Sequence, residues 1–365
     1  MPSAPVLETA RRGDGRPTHV TSHDVAAVAG VSQSAVSRCF TPGASIAPET
    51  RDRVLKVAAE LGYRPNLHAR TLITGRTRII GVVLAHLDNL FYPRFLQLLT
   101  ERLQAEGMQL MLFVADGRRQ SDLMAQLLQY RVDGIVLAAT TLHSDLAKAC
   151  SQAGIPVVLF NRVADAQDSG FHSVQTDQTE GARQLTRFLL DNGHQRIAYL
   201  AGSQDASTNQ AREQGCREAL SAARRRLFAY GEGDYRPERA QEVVRGWYTS
   251  DGAGRKPTAA CPDAIVVADD QMALAVMDTL RHELGVKVPD QVSVVGFDDV
   301  PQAAWAAYQL TTYAQPLPEM IESVLQLLSV QLRAQSADSK RKPRGKAVVL
   351  TGRLQLRGSA RQSPA

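Results

Sequence analysis

The chain has 365 residues, 44% hydrophobic and 22% charged, with a net charge of +5. That length exceeds a single core of usual size, so two or three domains of ordinary globular composition are expected. No apolar run reaches the ~18 residues of a membrane span, the first 18 residues lack the apolar stretch of a secretory signal, and four scattered cysteines without a CxxC pair support neither a disulfide framework nor a thiolate metal site.

The charge is unevenly spread. Residues 1–76 balance at +4, residues 77–330 at −7 and residues 331–365 at +8. A basic head on an acidic body fits a small DNA-binding module joined to a domain that does not bind DNA. The basic tail reads as a solvated linker. Residues 1–17 read as a disordered leader of Pro, Gly, Arg and Ser character.

From Val20 to Arg38 the pattern is helix, glycine turn, helix. Thr21-Ser22-His23-Asp24 has capping-box spacing, Val25, Ala26 and Ala29 follow at helical spacing, and Gly30 ends the helix. Ser32 caps a second helix with Ala35 and Val36 facing inward. A third runs from Pro48 to Gly62 with Val54, Leu55, Ala58 and Leu61 as its stripe. This is a helix-turn-helix over residues 18–62, whose second helix enters the major groove of duplex DNA. Leu67 to Thr74 reads as a helix too short to hold alone, inside a linker over 63–77.

From Arg78 strands and helices alternate. Strands are read at 79–84, 109–114, 134–138, 155–160, 196–201, 264–267 and 293–296, with a last strand over 347–356. Helices are read at 91–107, 121–130, 181–192, 210–222 and 271–284. Near-continuous apolar strands between helices imply two doubly wound parallel-sheet subdomains with a cleft between them, and ligands bind beyond the carboxyl ends of such strands. The expected lobes are 78–176 plus 306–334 and 177–305 plus 345–358, with a tail over 359–365.

The chain resembles the LacI/GalR family of bacterial transcriptional regulators. The resemblance is carried by Asp24-Val25-Ala26, Ala29-Gly30-Val31-Ser32, Val36-Ser37-Arg38, Leu61-Gly62-Tyr63-Arg64-Pro65-Asn66, Asp270-Gln271-Met272-Ala273-Leu274 and Val294-Val295-Gly296-Phe297-Asp298-Asp299, in order from about Thr18 to Ser359. It implies an N-terminal all-α DNA-binding domain and a periplasmic-binding-protein-like α/β regulatory domain. It also implies a cytoplasmic homodimer on a palindromic operator, with a sugar or sugar-acid-like effector and no cofactor. Repression is the family's common output, and activation occurs in some members.

On the DNA side, Ser32, Gln33, Ser34 and Ser37 lie at the start of the second helix, where Gln33 suits paired hydrogen bonds with adenine. Arg38 reaches a guanine or a phosphate. The resemblance places Thr21 and Ser22 on the backbone, Leu72 as the apolar wedge of a hinge helix, and Ala69 at a close helix approach; Asn66 and Arg70 join the interface, Arg70 and Arg76 as phosphate partners. Ala35 and Thr41 stand where the family often has Thr and Asn, which bears on base preference.

On the effector side, Arg212 and Asp298 match the family's ligand-holding arginine and aspartate, a pair suited to neighbouring hydroxyls; an internal ion pair is the structural alternative. Asn161, Arg162 and Asp269 follow strands, and Phe91, Tyr92 and Gln315 line the cleft. Trp305 stays open between cleft and core. Asp269, where many members have Asn, favours a neutral or cationic ligand, whereas Arg162 favours an anion. No GxGxxG, P-loop, GxSxG or metal spacing supports a doubly wound enzyme, and the DNA module argues against a periplasmic solute receptor. Without a clear leucine heptad after Leu332, a dimer is favoured over a tetramer.

Overall fold

The computed structural model describes residues 20–41, 43–64, 76–85, 87–115, 120–138, 143–162, 171–249, 260–336 and 345–362. The chain divides into two units, Met1–Thr77 and Arg78–Ala365.

The first unit holds α1 (Ser22–Ala29), α2 (Gln33–Cys39) and α3 (Pro48–Glu60). Thr21 and Asp24 form a reciprocal capping box, and Gly30 closes α1 at φ 64°, a conformation that favours glycine. Ser32 caps α2 through the Ala35 N–H. Val25, Ala26, Ala29, Val36, Cys39, Val54 and Ala58 make the core. Leu55 departs from the expected stripe and is 40% exposed. Counting from Val54, the helical period reaches Val57, Ala58 and Leu61, whereas Leu55 sits about 100° off that face. Arg51 bridges the turn after α2 to α3, donating to the carbonyls of Cys39 (3.1 Å) and Ala44 (3.2 Å).

The second unit opens with β1 (Ile79–Leu84), α4 (Phe91–Ala105), β2 (Gln109–Val114), α5 (Gln120–Tyr130), β3 (Gly134–Ala138), α6 (His143–Gln152), β4 (Val157–Phe160) and β5 (His172–Thr176). It continues through α7 (Gln178–Asp191), β6 (Ile197–Ala201), α8 (Ser207–Ala222), β7 (Ala229–Glu232), α9 (Pro237–Thr249), β8 (Ala264–Val267), α10 (Asp270–Asp278), β9 (Ser293–Asp298) and β10 (Thr311–Ala314). α11 (Leu317–Ser336), β11 (Ala347–Leu350) and β12 (Arg353–Gln355) close it. One sheet has the order β11-β5-β4-β3-β1-β2, all parallel. The other has the order β12-β10-β9-β8-β6-β7, parallel except that β12 runs against β10. The helix read over 271–284 ends its regular part at Asp278 and continues as a π turn, Thr279–Glu283.

Three crossings link the sheets, and two differ from the sequence reading. Residues 306–334 were placed in the first lobe, but β10 pairs with β9 in the second sheet and only α11 returns to pack on β3, β4 and β5. Residues 345–358 were placed in the second lobe, but β11 pairs with β5 in the first. The expected last strand over 347–356 is therefore two strands, broken where the chain crosses at Thr351-Gly352. Apolarity marks a strand as buried; it does not say whose free edge the strand completes. The expected tail is also partly fixed. Ser359 is buried, and its Oγ donates to the Val294 carbonyl (2.6 Å) and accepts from the Thr311 N–H (2.8 Å).

Gly215, one turn beyond Arg212 on α8, brings α8 against α7: a Cβ there would collide with the Thr179 carbonyl oxygen. Gly246 on α9 is exposed and has open space around it. Gly215→Ala is expected to lower stability by about 1–3 kcal/mol. Gly246→Ala is expected to raise it by about 0.5–1 kcal/mol. Thermal or urea melts of both variants check the contrast, and equal effects would mean that α8 and α7 are not in the close contact described.

Candidate DNA interface and interlobe cleft

On the first unit, the expected base-reading residues share one surface. Ser32, Gln33, Ser34 and Arg38 are exposed and Ser37 is half-buried, while Val36 and Cys39 turn inward. The neighbours of this surface hold it in shape. Ser32 Oγ and Ser34 Oγ lie 2.9 Å apart, and the Gln33 amide donates to Ser22 Oγ at 3.3 Å. Arg38 Nε donates to the Ser34 carbonyl at 3.3 Å, leaving the end of the guanidinium free to turn outward. Thr21 is committed to its cap: its backbone N–H and its hydroxyl both donate to Asp24 at 2.8 Å, which holds the Asp24 carboxyl below its usual range. Asn66, Ala69, Arg70 and Leu72 lie outside the described residues.

In the second unit, the sequence-selected polar residues converge where the strands of both sheets end. Arg212, on α8, is buried. Its Nε donates to Gln178 Oε1 (2.7 Å), one Nη to the Ala268 carbonyl and the other to Asp298 Oδ1 (3.3 Å), and the guanidinium lies 3.8 Å from the centre of the Phe297 ring. Asp298, at the end of β9, also accepts from Gln315 (2.6 Å), and Gln315 accepts from Thr176 (2.8 Å). Asn161, at the end of β4 with φ 51°, accepts from Gln178 at 2.9 Å. The internal Arg212–Asp298 pair, set against ligand holding in the sequence reading, is thus formed in this structure.

Away from the crossings, hydrogen bonds also span the lobes. Asn89 donates to Asp269 Oδ2 at 3.0 Å, and the Leu90 N–H donates to Gln271 at 2.9 Å. Asp269 also caps α10, accepting from the Met272 N–H at 3.0 Å. Burial, seconded by the nearby Asp298 charge, pushes the Asp269 carboxyl up to about 7. Burial likewise raises Asp298, against the pull of Arg212. Asp270 is raised well above its ordinary value, chiefly by burial, and holds the loop after β9, accepting from the Val300 N–H (2.9 Å) and from Thr312.

Phe91 and Tyr92 are buried at the start of α4, where Phe91 stacks with Phe160 at 6.4 Å. A cavity of about 540 Å³ adjoins this cluster at the crossings; Phe91, Asp298 and Gln315 line it together with Arg94, Val300 and Leu317. Arg162 follows Asn161 and is half-buried; the charged groups that act most strongly on Asp269 are Asp298 and Arg212. Trp305 is neither core nor cleft wall and is 56% exposed.

Sequence reading missed Asn89, Gln178, Gln271 and Tyr235. Tyr235 feels the charges of Arg212, Asp269 and Asp298, and its ring fills the space that a side chain at position 202 would need. Asn89, Gln178 and Tyr235 each follow a strand by a few residues, so the rule that selected Asp269 would have found them. For Gln178 and Tyr235, however, β5 and β7 had first to be recognised as strands.

The raised Asp269 carboxyl has a consequence for stability. Between its unfolded value, near 3.8, and about 7, the folded chain binds a proton that the unfolded chain does not, so stability grows as pH falls through 7. Asp269→Asn removes that contribution and keeps a capping side chain. The melting temperature of the wild type minus that of Asp269→Asn is expected to rise as pH is lowered from 8 to 5. A constant difference would place the Asp269 carboxyl in solvent.

Residues 21–66 match the family described as bacterial regulatory proteins, lacI family, and residues 186–360 match the periplasmic binding protein-like domain. The chain is 33% identical over 319 residues to the HTH-type transcriptional regulator AscG of Escherichia coli (strain K12), covering 84% of this chain and 90% of that protein. It is 32% identical over 345 residues to the HTH-type transcriptional regulator CelR of Thermobifida fusca, covering 92% and 96%. Its fold matches the lac repressor dimer bound to operator and the anti-inducer ONPF, with a TM-score of 0.78 at 26% identity over 94% of this chain and 99% of that one. Helix-turn-helix and two-lobed domain, in this order and along nearly the whole chain, make this protein a member of the lacI family of bacterial transcriptional regulators.

Proposed function

We propose that this protein is a cytoplasmic repressor that binds a palindromic operator as a homodimer and is controlled by a small-molecule effector in the interlobe cleft, without doing chemistry on that ligand. The observation that carries the reading is one chain bearing two surfaces of opposite character. One is an exposed helix of short polar side chains, suited to base edges. The other is a buried polar cluster assembled from two lobes, suited to a ligand that both lobes must grip.

Ser32, Gln33, Ser34, Ser37 and Arg38 read bases, and Thr21 and Ser22 approach phosphates. Asn66, Ala69 and Arg70 continue the interface, and Leu72 wedges into the minor groove. In the cleft, Arg212 and Asp298 bind hydroxyls from two sides, Asn161, Arg162, Asp269 and Gln315 complete the polar ring, and Phe91 and Tyr92 form the apolar floor. Two solved relatives support such an arrangement: the lac repressor dimer with operator and anti-inducer, and a CelR–cellobiose complex. The effector class is therefore a saccharide. Effector and operator affinities are coupled by a free energy of typically 1–3 kcal/mol, and each ligand changes the other's affinity by the same factor.

Two variants test the two surfaces together in operator titrations. Gln33→Ala is expected to cost about 1–3 kcal/mol on the specific operator and to relax one base position, with non-specific binding kept. Arg212→Ala is expected to bind operator like the wild type and to lose the effector response. An unchanged selected site in the first variant, or a normal effector response in the second, would remove that residue from the role assigned to it.

A further inference from the structure

Within the cleft, the charges do not cancel. Asp298 has a full counter-charge in Arg212 and an amide donor in Gln315. Asp269 has an amide donor but, among the described residues, no ion pair. Its Oδ1 is fixed on the Met272 N–H, and its Oδ2, turned toward the other lobe, accepts among the described residues from the neutral Asn89 amide. Asp269 is 1% exposed, and the charged groups that act most strongly on it are Asp298, which repels it, and Arg212, which attracts it but is paired with Asp298. Asp270 adds a third buried carboxyl behind it. A buried carboxylate without a counter-charge is costly.

The surroundings of this surplus are aromatic. The phenol groups of Tyr92 on α4 and Tyr235 beyond β7, one from each lobe, each feel the charges of Asp269 and Asp298. A carboxylate closed off from water and held by neutral donors is a setting that favours an ammonium, whose charge-assisted hydrogen bond is stronger than a neutral one. A hydroxyl would only exchange the Asn89 amide for another neutral donor. An anion would meet the carboxylates of Asp269 and Asp298, and the arginine in contact with Asp298, Arg212, is already paired with it.

We propose that the effector carries a protonated nitrogen, as an amino sugar or an aminated polyol does, and that Asp269 receives it in place of the Asn89 amide. This deepens the reading of the cleft as the effector site and rests on it. Binding then brings the missing counter-charge into the closed cleft, and sugar acids and sugar phosphates are rejected.

The test uses full-length protein and two trios of saccharides matched except for charge: glucose, glucosamine and gluconate, and cellobiose, the chitosan dimer and cellobionate. Affinities are read by calorimetry and thermal shift, in wild type and in Asp269→Asn, whose ligand-free melt establishes that it is folded. The amine member of at least one trio is expected to bind about tenfold tighter than its neutral partner in the wild type, the anion to be weakest, and the preference to vanish in Asp269→Asn. A neutral or anionic member binding as well as the amine overturns the proposal and leaves the saccharide reading standing. An amine preference that survives in Asp269→Asn overturns the role of Asp269. Absence of any shift with all six removes the saccharide reading, and the proposal with it.

Discussion

The second unit is organised around one buried cation. An arginine cannot lose its charge, so burying Arg212 obliges the fold to bring acceptors to it from several places. They come from Gln178 at the start of α7, from the Ala268 carbonyl after β8 and from Asp298 at the end of β9, while Phe297 lies against the guanidinium face. Each of these is separated from Arg212 by at least 34 positions in the chain. The arginine therefore acts as a register pin: α8, α7, β8 and β9 must all be in place before its donors are satisfied. As an internal ion pair, Arg212–Asp298 is weak evidence for added stability, because desolvation offsets the Coulomb gain. Its contribution lies in position, since it fixes where the Asp298 carboxylate stands.

From Asp298 the same constraint passes to the other lobe. Gln315 links that carboxylate to Thr176 at the end of β5, and Gln178 links the guanidinium to Asn161 at the end of β4. Gln315 and Gln178 both sit where the chain crosses between sheets. The residues that measure the angle between the lobes are thus the residues that hold the arginine. A ligand that drew Arg212 or Asp298 toward itself would disturb the crossings directly, which is how a small molecule comes to act on a two-lobed body.

Much of this was legible in the sequence because local rules agree with the global fold. In the helix-turn-helix the caps and the turn were readable, though not the whole stripe of the third helix: capping box, left-handed glycine and serine cap are short-range signals, each with one structural solution. The doubly wound class was readable from near-continuous apolar strands. What failed was assignment of strands to sheets. β10 is fully buried and β11 only partly, and their partners, β9 and β5, are set by which sheet edge stands open, a long-range fact. β5 itself, His172–Thr176, was missed because four of its five buried residues are polar, and β7 because Ala-Tyr-Gly-Glu carries little strand character. In the cleft, the residues matching a family pattern were found and those that complete the network were not. Gln271 owes its role to contact across the lobes, a long-range fact with no local mark.

Asp269 shows what a conflict between levels can mean. Locally it is a sound choice, since aspartate caps a helix well and α10 begins there. An asparagine would cap equally well without burying a second carboxyl near Asp298. The acid is therefore disfavoured by the fold as it stands and gains nothing from the helix that asparagine would not give. Natural sequences keep such violations where function needs them, at sites whose groups are arranged for something other than stability. The electrostatic cost at Asp269 is removed either by a proton or by a cation, and both enter at the one place where the lobes meet. A carboxylate poised in this way makes closure of the cleft respond to the charge of what it closes on, a discrimination that hydroxyl-for-hydroxyl hydrogen bonding cannot supply.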